Sequence, residues 1–103
     1  MIEIRKTELF ARWLHGLHDL QGRARVQARL ERLAGGNPGD VAPVGEGVSE
    51  LRINYGPGYR VYYAQAGKRL LLLLLGGDKR TQQSDIETAQ RHWADWQQRR
   101  SFK

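Results

Sequence analysis

Lys68–Arg80, KRLLLLLLGGDKR, sets six consecutive leucines between two basic pairs. Leucine favours helix over strand, so the run must be read from its surroundings. It is only six residues long, Leu70–Leu75, and it stops at Gly76-Gly77. It also closes a series of alternating segments. Val48–Tyr55 alternates, with Val48, Glu50, Arg52 and Asn54 on one face and Ser49, Leu51, Ile53 and Tyr55 on the other. Gly56-Pro57-Gly58 follows as a tight turn. Tyr59–Ala66 then sets Tyr59, Val61 and Tyr63 opposite Arg60 and Tyr62, and Gly67 marks another turn. Two successive hairpins make an antiparallel meander. The leucine run is its last strand. Continuous apolar character means that both faces are covered, so the strand is central and lies under helices.

The flanking segments supply those helices. Met1–Arg5 reads as a first or edge strand. Thr7 is an N-cap, and Leu9, Phe10, Trp13, Leu14 and Leu17 follow at helical spacing until Gly16 interrupts. A second helix is expected over Asp19–Ala34, with Val26, Leu30 and Leu33 on one stripe. Arg25, Arg29 and Arg32 share another face, as a solvated row or as a backbone-phosphate contact. Gly35–Asp40, GGNPGD, ends that helix. Ser84-Asp85-Ile86-Glu87 matches a capping box and predicts the start of a last helix, whose stripe is Ile86, Ala89, Trp93 and Trp96. The final SFK is expected to fray. The expected fold is α+β, ordered β-α-α-β-β-β-α: a small, mostly antiparallel sheet of about four strands, two N-terminal helices and one C-terminal helix. One domain spans residues 1–103.

Composition narrows the function classes. The chain has no cysteine, which removes disulfide frameworks and thiolate metal sites. A membrane-spanning helix needs about 20 apolar residues, which six leucines do not supply. The N-terminus has no apolar h-region, and a cytoplasmic protein is expected. Net charge is +6, and it is unevenly placed. Residues 50–80 hold Arg52, Arg60, Lys68, Arg69, Lys79 and Arg80 against Glu50 and Asp78, a local +4, whereas the segments on either side carry +1 each. Such a field favours a polyanion.

His15 and His18 are three residues apart but lack a third ligand, so no metal site is expected. There is no phosphate-binding glycine loop, nucleophile elbow or HExxH. Arg52 and Arg60 lie on strands joined by a tight turn, and Lys79-Arg80 arrives from the end of the next strand. Tyr55, Tyr59, Tyr62 and Tyr63 are interleaved with them. Cations that hold phosphate beside rings that stack bases suit RNA. The plainer reading makes the tyrosines half-buried strand residues and the cations ordinary surface charge. The residues alone leave both open.

Ser49–Gln65, SELRINYGPGYRVYYAQ, followed by Leu70–Ala89, LLLLLLGGDKRTQQSDIETA, resembles the RelE/ParE superfamily of bacterial toxins, closest to its HigB-like "addiction module killer protein" group. Element order and length are similar too. The resemblance implies the toxin of a type II toxin–antitoxin module: a ribosome-dependent mRNA endoribonuclease with a RelE-like fold and no cofactor. It also implies a cognate helix-turn-helix antitoxin, with operator DNA reached only through the toxin–antitoxin complex. Carried over to this chain, Arg60 is the phosphate-contacting arginine, Arg52 a positioning cation, and Lys79 and Arg80 the basic pair at the end of the last strand, of which Arg80 is expected to stabilise charge on the cleaved phosphate. Tyr55, Tyr59, Tyr62, Lys68 and Arg69 are the expected RNA-binding residues. The implied reaction is metal-free attack by the RNA's own 2′-hydroxyl.

The chain departs from the family pattern at one place. Ile86 stands where several members carry a tyrosine, and His92 lies further along the helix, so the resemblance leaves the general acid unassigned. Two other readings compete: a ParE-like inhibitor of DNA gyrase without nuclease activity, and a non-catalytic partner protein of the same fold.

Overall fold

The computed structural model describes residues 2–101, with side chains described as far as residue 99. The expected fraying of the end therefore falls, at 102–103, outside the described residues. Among the described residues, no helix is long and apolar enough to cross a membrane.

The chain runs β1 (Glu3–Lys6), α1 (Glu8–His15), α2 (Leu20–Ala34), β2 (Val41–Pro43), β3 (Val48–Ile53), β4 (Tyr59–Ala66), β5 (Leu70–Gly77), a 3-10 turn (Lys79–Thr81) and α3 (Gln82–Ser101). The sheet has five strands in the order β1-β5-β4-β3-β2. That corrects the expected count of about four. The additional strand, β2, is three residues long and ends at Pro43, which suits an edge because proline has no N–H to give a further neighbour. The β3-β4-β5 meander is antiparallel as expected, but β1 pairs in parallel with β5, so the sheet is mixed. Parallel pairing follows from the long helical crossover that carries the chain from β1 to the other side of the sheet.

The leucine strand is internal, flanked by β1 and β4. Leu71 and Leu73 face the core under α1 and α2 with Phe10, Val26, Leu51 and Val61, while Leu72, Leu74 and Leu75 face α3 with Val48, Tyr62, Ala89 and Trp93. Alternation fails at one point. Tyr62 pairs with Leu75 and Tyr63 with Leu73, which leaves Leu74 as the extra residue of a bulge. Beyond it, a Cβ on Gly76 would collide with the Trp13 ring, and one on Gly77 with the Asp85 carboxylate. Two glycines end the strand because α1 and α3 both close on its backbone there.

Caps set the helix starts. Thr7 accepts from the Phe10 N–H at 3.1 Å and donates to the Leu74 carbonyl at 2.6 Å, so one hydroxyl starts α1 and ties it to β5. Asp19 accepts from the Gly22 N–H at 3.0 Å at the start of α2. The expected capping box at Ser84 is displaced, for α3 begins at Gln82. The Ser84 hydroxyl instead donates to the Thr81 carbonyl at 3.1 Å, and the Thr81 hydroxyl donates to Asp85 at 2.6 Å. The 3-10 turn has already ordered the backbone by then, so the helix starts before its capping sequence.

Candidate functional site

The β3–β4 turn and the exit of β5 lie side by side at one end of the sheet, because Arg60 pairs with Gly77 in register and Arg52 pairs with Arg60. Between them is a groove of about 420 Å³, lined by Asp40, Arg52, Tyr55, Gly58, Arg60 and Lys79 among others. The turn is built by a Tyr55 carbonyl that accepts from the Gly58 N–H at 3.1 Å, with Gly56 and Gly58 both at positive φ. Gly58 has a second role. Its bare Cα leaves room for the aliphatic stem of Lys79, which a Cβ would meet at 2.9 Å.

Arg60 is 8% exposed and forms the groove's floor. Its Nη1 donates to the carbonyls of Gly58 and Tyr59 at 3.2 and 3.4 Å. Behind it lies Glu50, a carboxylate with no exposed surface. Glu50 accepts from Arg52 Nε at 2.9 Å, from the Tyr62 hydroxyl at 3.1 Å and from Gln82 Nε2 at 2.8 Å, and Arg60 Nε stands 3.7 Å away. Burial pushes its pKa up, but the donors Arg52, Gln82 and Tyr62 and the charge of Arg60 outweigh burial and hold it below the usual carboxylate range. Tyr62 is pushed the other way, upward, by burial first and then by the charge of Glu50.

The expected site residues separate. Arg52, Arg60, Lys79 and Tyr55 converge on the groove. Arg80 does not line it: its exposed guanidinium pairs with Asp78, Nη2 to Oδ2 at 3.0 Å and Nε to Oδ1 at 3.3 Å. Lys68 and Arg69 sit in the β4–β5 turn at the opposite end of the strands, about 25 Å away at the usual rise per residue. Tyr62 is fully buried and Tyr59 is 7% exposed, so neither ring has a free face for a base. Tyr55 is partly exposed, stacked on Tyr59 with centroids 6.5 Å apart, and Arg25 lies over its ring at 4.6 Å. Its hydroxyl is within hydrogen-bond distance of Gln21 and Asp19, at 3.2 and 3.4 Å.

The arginine row of α2 is neither solvated throughout nor uniformly offered to phosphate. Arg29 donates to the carbonyls of Arg52, Pro38 and Asp40, which clamps α2 to the end of β3. His92 lies outside the groove, in a separate depression between α1 and α3 with Arg12, Asp95 and Trp96. Two further residues organise the groove: Glu50, which the sequence offers only as one of two isolated carboxylates with Asp78, and Gln82, to which the sequence assigns no role. The signal for Glu50 was its place between Val48 and Arg52 on one face of an alternating strand. Gln82 carried no such signal, because its contact depends on where α3 starts.

Residues 12–94 match the family model described as Phage derived protein Gp49-like (DUF891). The chain belongs to the Gp49-like family. That family is of the addiction-module killer type, which places this chain with the toxins of toxin–antitoxin modules. The Gp49-like chain is also similar to an uncharacterised protein of Haemophilus influenzae, 47% identical over 88 residues that span 85% of this chain and 89% of the relative. The matched segment contains the whole groove, from Asp40 to Gln82.

Proposed function

We propose that this Gp49-like chain is a RelE/ParE-type toxin that acts as a ribosome-dependent mRNA endoribonuclease and is neutralised by a cognate helix-turn-helix antitoxin. One observation carries the reading. A buried arginine, Arg60, floors a groove that Arg52 and Lys79 flank, and the three cations come from β4, β3 and the 3-10 turn that follows β5. Such a preorganised cluster matches a phosphodiester on which negative charge grows during reaction.

The chemistry follows from which groups hold transferable protons. Arginine stays charged in proteins and cannot give one up. Tyr62 is closed off and donates to Glu50. The Tyr55 hydroxyl is engaged with α2. Lys79 is the remaining proton-bearing cation in the groove, and Asp40 its lining carboxylate. In this reading Asp40 accepts the proton of the attacking 2′-hydroxyl, and Lys79 protonates the leaving 5′-oxygen. Arg60 and Arg52 hold the non-bridging phosphate oxygens. The products are a 2′,3′-cyclic phosphate and a 5′-hydroxyl, and DNA, which lacks the attacking group, is not cut.

The test is 5′-end mapping of a reporter mRNA after a brief pulse of toxin expression without antitoxin. New 5′-hydroxyl ends within the translated region, absent with Arg60→Ala, are expected. Intact mRNA in growth-arrested cells, with DNA breaks, would overturn the reading in favour of gyrase inhibition.

A further inference from the structure

Among the described residues, Glu50 and Arg60 are the charged residues that the fold buries. Burying a carboxylate is expensive, and a buried ion pair is often no more stabilising than apolar residues of similar size. Glu50 lies on the α3 side of β3 beside Val48 and opposite Tyr62, where a leucine would fill an apolar core. Stability alone therefore does not account for an acid there.

We propose that Glu50 is a positioning residue that aims the arginines of the groove. Its two oxygens divide the work. Oε1 faces the arginines, with Arg52 Nε at 2.9 Å and Arg60 Nε at 3.7 Å. Oε2 is anchored to the scaffold, by Tyr62 of β4 at 3.1 Å and by Gln82 at the first residue of α3 at 2.8 Å. Three donors, Arg52, Tyr62 and Gln82, hydrogen-bond to the carboxylate, while Arg60 Nε, which has no hydrogen-bond partner, is held at ion-pair distance by charge. The carboxylate cannot turn without breaking a contact to the scaffold.

The consequence lies in the donors left over. Arg52 gives its Nε–H to Glu50, which leaves both of its η-nitrogens uncommitted. Arg60 Nη1 is used by two carbonyls. Among the described residues, neither Arg60 Nη2 nor the η-nitrogens of Arg52 donate to a protein acceptor. These are the donors available to an anion in the groove. The carboxylate thus leaves Arg52 with its two η-nitrogens for the planar two-pronged donation that suits phosphate, and Arg60 with Nη2 as a single further donor.

The placement of the arginines stands apart from any reaction. Its effect on RNA cleavage rests on the endoribonuclease reading. The experiment follows the arginine Nε–H resonances of the full chain by ¹⁵N NMR. In the wild-type protein Arg52 and Arg60 are expected to give dispersed, exchange-protected Nε–H signals, whereas exposed Arg25 exchanges freely. Wild-type signals of Arg52 and Arg60 that exchange as fast as that of Arg25 would overturn the proposal with no variant needed. Glu50→Gln keeps the shape and removes the charge, and should collapse both signals into the freely exchanging set. Lys79→Ala should leave them in place. A folded Glu50→Gln with unchanged arginine signals would also overturn it.

The cleavage arm separates the two readings. If wild-type toxin cuts ribosome-bound mRNA, Glu50→Gln should lower the turnover rate by roughly 100-fold, as for reacting groups displaced by about 1 Å, with little change in half-saturating ribosome concentration. Wild-type protein that never cuts mRNA while its arginine signals behave as described removes the endoribonuclease reading and leaves the positioning role intact.

Discussion

Lys79 enters the groove by laying its side chain across the bare Cα of Gly58, so that a β-strand exit and a hairpin turn interlock at one missing methyl group. The two residues are far apart in sequence and adjacent because β4 and β5 are paired.

Gly58→Ala tests that contact. Gly58 has φ +79°, where an alanine costs about 1–2 kcal/mol. The added methyl would also meet Lys79 Cγ at 2.9 Å and push the side chain aside. The expected outcome is a folded, mildly destabilised protein with much reduced toxicity. Urea denaturation and growth after induction check the two parts separately.

Tyr62→Phe should destabilise the fold by about 1–3 kcal/mol, because a buried carboxylate oxygen loses one of its donors while the ring packing stays. Chemical denaturation at neutral pH measures it. A toxicity loss as large as that of Arg60→Ala would point to a direct role for the hydroxyl, which its burial argues against.

The Lys68→Ala/Arg69→Ala pair should leave the cleavage rate at saturating ribosomes unchanged, since both cations sit in the turn at the far end of β4 and β5. Any effect should fall on association and weaken further as salt rises. Turnover measured against ribosome concentration separates the two.

Glu50 predicts acid sensitivity. Its pKa is lower in the folded chain than in the unfolded one, so its contribution is present above the unfolded value, about 4.3. That contribution is lost as pH falls through the lower folded value. Tyr62 gives the opposite edge: its raised pKa makes its contribution complete below about pH 10 and lost as pH rises beyond that. Stability followed from pH 2 to 7 should fall less steeply in Glu50→Gln than in the wild type. In a spectrophotometric titration, Tyr59, Tyr62 and Tyr63, all raised chiefly by burial, should ionise late and return to ordinary behaviour on unfolding.

Local pattern made much of this molecule legible. The period-2 alternation of Val48–Tyr55 and Tyr59–Ala66 revealed both strands and which residues share a face, because a pleated strand sends successive side chains to opposite sides regardless of its partners. Thr7, Asp19 and the GGNPGD segment gave the limits of α1 and α2, since caps and breakers act within one turn of chain. The leucine run was readable as a doubly covered strand from its own hydrophobicity. The convergence of Arg52, Arg60 and Lys79 was also legible, because hairpin register fixes it. What the tertiary structure alone decided concerns contacts between distant segments. Parallel pairing of β1 with β5 depends on how the crossover packs, and the bulge at Leu74 on how β5 meets β4. Arg80 turns to Asp78, Lys68 and Arg69 fall at the far end, and Tyr62 is sealed inside, because burial depends on which layers close over a residue. Glu50 is the sharpest case. Alternation put its carboxylate on the same strand face as Arg52, but only the docking of α3 by Gln82 and of β4 by Tyr62 buried it and made it a support for the arginines.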